Sequence, residues 1–227
     1  MPTPKAGYRL KDGAPIPGTT TICGAYKDSG GLIHWAWDQG MKGIEYWKAR
    51  DKAGGIGTEI HAQIEASLKE GVPLPWPGLT HIRLVAQEVQ LVSEEYQYGG
   101  TLDAIGIDNK DRHVLLDWKT SKGIYTNFML QLAAYRHIWN ENCPDREITG
   151  GAYLVHFSKT GNFIRAYPFD VPGIPDSPDL FTSWEQFKLA RAMFANDYVH
   201  DPERGFVAKG QLFQDLERAK LCNTSPL

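Results

Sequence analysis

Two apolar, strand-like runs interrupted by charge constrain this chain more than any other stretch. They are Gly100-Thr101-Leu102-Asp103-Ala104-Ile105-Gly106 and Val114-Leu115-Leu116-Asp117-Trp118-Lys119, joined by the turn formers Asp108-Asn109-Lys110-Asp111. Pairing about Lys110 sets Asp103 opposite Asp117, since each lies seven residues from that centre. The period of two along a strand then puts Lys119 on the face of Asp117 and turns Trp118 the other way. Facing Cβ atoms in such a pair lie roughly 4.5–5.5 Å apart. Two carboxylates held that close among apolar neighbours repel one another and resist losing water, so they destabilise the sheet unless a cation joins them. The pattern points to a divalent metal site with an adjacent lysine, and from there to phosphodiester hydrolysis. A plain salt bridge between Lys119 and the acids is the competing explanation.

The rest of the chain supplies a core and few special signals. Of 227 residues, 42% are hydrophobic and 22% charged, which is ordinary for a globular protein, and 7 Trp, 10 Tyr and 9 Phe supply bulk. The formal charge of −3 carries no global basic signature, so a protein that coats nucleic acid is disfavoured while an enzyme with a local basic channel is not. Cys23, Cys143 and Cys222 are far apart and form no CxxC pair, which supports neither a zinc ribbon nor a disulfide scaffold. No apolar run approaches the ~18 residues of a membrane span and the N-terminus does not read as a signal peptide, so the expectation is a soluble, cytoplasmic protein.

Along the chain, residues 7–23 read as short extended pieces ending in the β-prone Thr19-Thr20-Thr21-Ile22. An aromatic-rich helix is expected from Leu32 to about Lys52, and a second from Thr58 to Lys69 with Ile60, Ile64 and Leu68 on one face. A proline-rich loop at 72–78 leads to a short helix around His81–Val85. Strands follow near 87–93, 97–107 and 112–119, then a helix over 127–142, strands over 152–158 and 163–169, and a last helix over 183–198. This order predicts an α/β class with a mixed sheet. Residues 1–55 read as an N-terminal helical extension, 200–227 as a polar tail, and the whole as one domain.

Several further side chains are candidates for the site. Glu88, fifteen residues before Asp103, sits on a strand that would flank the hairpin and offers a third carboxylate, or an exposed glutamate only. His61 follows a helix start at Gly57-Thr58, and an imidazole there would favour Mn²⁺. Gln131 and Tyr135 lie one helical turn apart, so amide and phenol point together and can hydrogen-bond a phosphate, a base or a water. Asp103 and Asp117 are hard oxygen donors suited to Mg²⁺ or Mn²⁺, and Lys119 can orient or deprotonate a water or stabilise charge on phosphorus.

Taken in order, these motifs resemble the PD-(D/E)XK nuclease superfamily in its RecB-like exonuclease branch. That branch includes phage recombination exonucleases, CRISPR-associated adaptation nucleases and the mitochondrial genome maintenance exonuclease. Gly57-Thr58-Glu59-Ile60-His61 is similar to its first motif, and Glu88 to the acid on the preceding strand. Gly100-Thr101-Leu102-Asp103 resembles the second motif, Asp117-Trp118-Lys119 the acid-x-lysine signature and Gln131-Leu132-Ala133-Ala134-Tyr135 the QxxxY motif. The resemblance covers about residues 19–169. It implies a restriction-endonuclease-like core, a central mixed sheet flanked by helices. It also implies one or two Mg²⁺ or Mn²⁺ ions held by His61, Asp103, Asp117 and the Trp118 carbonyl, with Lys119 catalytic and Gln131 and Tyr135 on the substrate. The three cysteines cannot reproduce the four-cysteine iron–sulfur ligation of some relatives, so no cluster is expected. The implied activity is a metal-dependent exodeoxyribonuclease in recombination, repair or phage DNA metabolism, in a bacterial or phage-infected cell. Its partners would be DNA ends and a single-strand annealing protein or helicase, and an oligomer is compatible. The alternatives are an endonuclease of the same superfamily and a non-catalytic DNA-binding subunit.

Overall fold

A computed structural model describes residues 7–26, 30–45, 64–65, 68–70, 74, 76–121, 123–157 and 164–199. Its centre is a five-stranded mixed sheet. The strands are β3 (Arg83–Ser93), β4 (Tyr98–Ile107), β5 (His113–Lys119), β6 (Ile148–Phe157) and β7 (Ile164–Phe169), in spatial order β3-β4-β5-β6-β7. All neighbours are antiparallel except β5 and β6. Parallel neighbours need a crossover, supplied here by the helix α3 (Thr126–Asn142). The α/β class with a mixed sheet flanked by helices is the arrangement read from the sequence. Before the sheet come a small hairpin, β1 (Tyr8–Arg9) with β2 (Pro15–Ile16), and the helices α1 (Thr19–Ala25) and α2 (Gly30–Met41); α4 (Phe181–Val199) ends the described chain. No helix among the described residues is long and apolar enough to cross a membrane.

Each face of the sheet has its own core. One holds Leu102, Ile105, Leu115 and Leu154 under α1, α3 and α4, with Ile22, Leu132, Ile138 and Phe187. The other holds Ala104, Val114, Leu116 and Trp118 against Ile64, Leu74, Leu79 and Ile82. Strand alternation sorts β5 cleanly between them. Tyr98 ties the first core together by donating its hydroxyl to the Ala134 carbonyl at 2.8 Å.

Four local expectations change. The segment Thr19–Ile22 is helical rather than extended, because Ile22 and Cys23 bury against the core while Thr19 Oγ1 donates to the Gly99 carbonyl at 2.9 Å; packing here overrides β-propensity. Because β1 and β2 precede it, residues 8–25 are not a simple helical extension. The aromatic-rich helix stops at Met41, not near Lys52. Gly43, at φ +70°, takes the left-handed position, and the amides of Gly43 and Ile44 close on the carbonyls of Gly40 and Gln39, a Schellman termination. In place of a helix at His81–Val85, β3 begins at Arg83, with Ile82 and Leu84 buried and Arg83 and Val85 exposed. The helix expected over 58–69 lies largely outside the described residues; 64–65 and 68–70 are helical.

The N-terminal segment fills a place the sheet leaves open. The β4–β5 ladder ends at Ala104↔Leu116, and beyond it β4 is bridged instead by Gly18, opposite Gly99, whose amide donates to Pro17 O at 2.9 Å. The Tyr8 side chain packs directly against Gly99, where an added β-carbon would overlap it, and the Tyr8 hydroxyl meets Thr101 Oγ1 at 2.8 Å. Gly99→Ala should therefore lower stability by about 1–3 kcal/mol, the usual cost of overpacking. Tyr8→Ala should absorb part of that loss, giving a less-than-additive double variant in urea unfolding. Strict additivity would show that Tyr8 does not pack there.

Candidate active site

The hairpin register is the one the sequence dictates. Asp108 fixes the turn, its carboxylate accepting the amides of Lys110 and Arg112 at 2.9 and 3.0 Å and pairing with the Arg112 side chain. The rungs Ile107↔His113 to Ala104↔Leu116 then lead directly to Asp103 and Asp117. There the two strands part. The Trp118 amide donates to Asp103 Oδ2 at 2.8 Å, so a side chain continues the contact beyond the last backbone rung.

Asp103 reaches the α3 face through an irregularity absent from simple alternation. On β4, Leu102 and Ile105 both belong to the core under α3, whereas Ala104 belongs to the opposite one. The alternation slips by one residue at Asp103. Its neighbour on β3, between the pairs Gln87↔Ala104 and Val89↔Leu102, is Glu88, whose φ is +52°. A left-handed backbone at a glutamate inside a strand is uncommon and marks local strain. The Glu88 side chain itself is exposed.

The charges then assemble on the α3 side. Asp117 is fully buried and Asp103 is 6% exposed. Lys119 forms an ion pair with Asp117 Oδ2, and its ammonium lies 5.1 Å from the centre of the Phe128 ring, a cation–π support. Gln131 and Tyr135, one turn apart on α3, are both buried. Gln131 Nε2 donates to Asp117 Oδ1 at 3.3 Å and to the Tyr135 hydroxyl at 3.0 Å. Gly100 makes room for that phenol, since a β-carbon there would stand 2.7 Å from Tyr135 Cε1.

Electrostatics follow from burial and crowding. Asp103 is pushed up to about 7, first by burial and then by Asp117, against the partial relief of Lys119 and the Trp118 amide. Burial alone would pull Lys119 down, but Asp117 and Asp103 outweigh it and hold the ammonium above the ordinary lysine value. Burial, then Asp103 and Asp117, keep Tyr135 well above a normal phenol, so it remains a proton donor. Among the described residues the cluster holds two acids and one lysine, one positive charge short when both carboxylates are ionised. Hard oxygen donors with surplus negative charge fit Mg²⁺ or Mn²⁺. Among the described residues no third His, Cys, Asp or Glu completes a metal-holding group with them.

The structure thus brings together Asp103, Asp117, Lys119, Gln131 and Tyr135. It places Glu88 beside Asp103 in strand order but outside the buried cluster, and Trp118 projects its indole into the opposite core. His61 lies outside the described residues. Cys23 is buried, which raises its thiol to about 12, and Cys143 is half-buried. Two supporting residues were not among the site candidates. Phe128 shares the helix face of Gln131 and was legible from spacing alone. His156 was not, because it depends on β6 lying beside β5: it pairs with Lys119 in register and its Nε2 meets the Ser121 carbonyl at 2.7 Å, securing the turn after the lysine.

No protein-family profile matches the chain, and no curated protein matches it. Solved structures do. A crystal structure of a protein designated SSO0001 is 18% identical, with a TM-score of 0.37, over 71% of this chain and 69% of the other. A provisionally assigned exonuclease from Eubacterium rectale is 17% identical, with a TM-score of 0.33, over 84% of this chain and 70% of the other. Both likenesses are distant and assign no function.

A carboxyl raised by folding stabilises the fold when protonated, and that contribution is lost as pH rises through its folded value. In EDTA, Asp103→Asn should therefore be more stable than the parent at pH 8, by more than about 1 kcal/mol, and the gap should close towards pH 5. Equal urea midpoints across that range would contradict the crowding of Asp103 and Asp117.

Proposed function

We propose that the protein is a metal-dependent deoxyribonuclease of the PD-(D/E)XK type, acting as an exonuclease on DNA ends. The observation that carries this reading is the buried Asp103–Asp117–Lys119 cluster, held from above by Gln131 and short of one positive charge. A structural salt bridge would need a single acid per lysine and would not gather a second carboxylate at such cost.

In this reading Asp103, Asp117 and the Trp118 carbonyl hold Mg²⁺ or Mn²⁺, with His61 as a further ligand. The ion, when bound, polarises the scissile phosphate and makes water a competent nucleophile at neutral pH. The chain does the rest. Asp117 carries Lys119 in a fixed place, and the raised proton affinity of Lys119 suits a donor that orients the incoming water and offsets charge on the phosphoryl oxygens better than a base. Gln131 fixes the orientation of the Asp117 carboxylate. Tyr135, neutral and buried, locks that glutamine. Glu88, on β3, stands across β4 from the opening where β4 and β5 part, with its side chain exposed to solvent. Recombination, repair or phage DNA metabolism in a bacterial or phage-infected cytoplasm is the setting this activity fits, with an annealing protein or helicase supplying ends.

End-labelled linear DNA should be degraded with Mg²⁺ or Mn²⁺ and survive in EDTA. Lys119→Ala and Asp117→Ala should each cut the rate by at least about 100-fold, the scale of losing a charge-stabilising group. Covalently closed circular DNA should resist; cutting it would make the enzyme an endonuclease. Tight DNA binding without cleavage under either metal would leave a non-catalytic binding subunit.

A further inference from the structure

An exposed aromatic stands at the mouth of the charged cluster. Tyr125, the residue before α3, is 43% exposed, large for an aromatic beside a buried site. Its ring meets Phe128 edge to face, with centroids 5.5 Å apart and an interplanar angle of 82°. Phe128 is the ring under the Lys119 ammonium, 5.1 Å away, and Lys119 pairs with Asp117. One unbroken line of contacts therefore runs from the buried carboxylates to the surface and ends on the Tyr125 ring. Tyr125 takes extended backbone angles, φ −125° and ψ 148°, at the helix N-cap, and caps the helix with no side-chain hydrogen bond.

The Lys119 ammonium and the Tyr125 ring lie 5.1 and 5.5 Å from the Phe128 ring centre, so together they span at most about three stacked nucleotide steps of roughly 3.4 Å. A phosphate at Lys119 would leave a base within a few nucleotides along the strand in reach of this ring. We infer that Tyr125 is a base-stacking residue, and that the base it takes is an unpaired one from the strand being cut. The substrate class that follows is a single-stranded or frayed end, because a base held in a duplex has its faces already covered. Every base offers a π-face, so such a platform selects strandedness and not sequence. The inference rests on the nuclease reading above, which it extends from the cleavage site to the substrate that enters it.

The test separates stacking from chemistry. Single strands carrying 2-aminopurine at the 5′ or the 3′ end, with phosphorothioate linkages to resist cleavage, are titrated with the protein in Mg²⁺ while fluorescence is read. Steady-state cleavage of the same sequences with ordinary linkages is run in parallel. The parent should quench the probe at one end. Tyr125→Ala should lose that quenching and raise KM about 10-fold with kcat nearly unchanged, the scale of one lost base–aromatic stack. Tyr125→Phe and Tyr125→Trp should restore both readouts. Undiminished quenching in Tyr125→Ala overturns the inference, as does a fall in kcat at constant KM, and either leaves the nuclease reading intact. Absence of both quenching and cleavage in the parent overturns the two together.

Discussion

The structure is organised around a deficit of positive charge inside an apolar sheet. Asp117 is fully buried and Asp103 nearly so, and among the described residues one lysine answers both. Removing two carboxylates from water is costly, and a single ion pair does not repay it. The surroundings limit the loss by supplying donors, the Trp118 amide to Asp103 and the Gln131 amide to Asp117, while the Tyr135 hydroxyl accepts from that same Gln131 amide and fixes it. These contacts hold the acids in place without neutralising them. A cluster that is positioned but not neutralised is what a cation-dependent centre requires, and a poor design for stability alone.

The path of β4 makes this possible. Near the turn it pairs with β5 as an ordinary hairpin, but at Asp103 it parts from β5 and its alternation slips, opposite the left-handed Glu88. The gap so opened does two jobs. On one side it admits the N-terminal segment, with Gly18 bridging Gly99 and Tyr8 covering it. On the other it leaves the carboxylates and Lys119 facing α3. Fold and site therefore share one irregularity, and residues 8–25, distant in sequence from the acids, help to fix the strand that carries Asp103.

Much of this was legible in the sequence, for identifiable reasons. The hairpin register could be read because turn formers and charged positions are symmetric about Lys110. Gln131 and Tyr135 could be paired because a helical turn separates them, and Trp118 could be sent to the opposite core because strands alternate. The rest depended on contacts between distant segments. That Thr19–Ile22 is helical follows from the packing of Ile22 and the carbonyl of Gly99, not from local preference. The helix end at Gly43 was written in the sequence as a glycine after Met41-Lys42, but aromatic periodicity beyond it masked the signal. The slip at Asp103 rests on the backbone of Glu88, which no periodicity reports. His156 joined Lys119 only once β6 was known to lie parallel to β5.

The central claim is that Asp103 and Asp117 form a cation site, and the most direct measurement is thermal unfolding with and without divalent metal. At pH 8 the parent should melt several degrees higher in millimolar Mn²⁺ or Mg²⁺ than in EDTA, because a ligand bound to the folded state alone stabilises it by mass action. Asp103→Asn and Asp117→Asn should lose most of that rise. An identical Tm for the parent with metal and with EDTA would contradict the account.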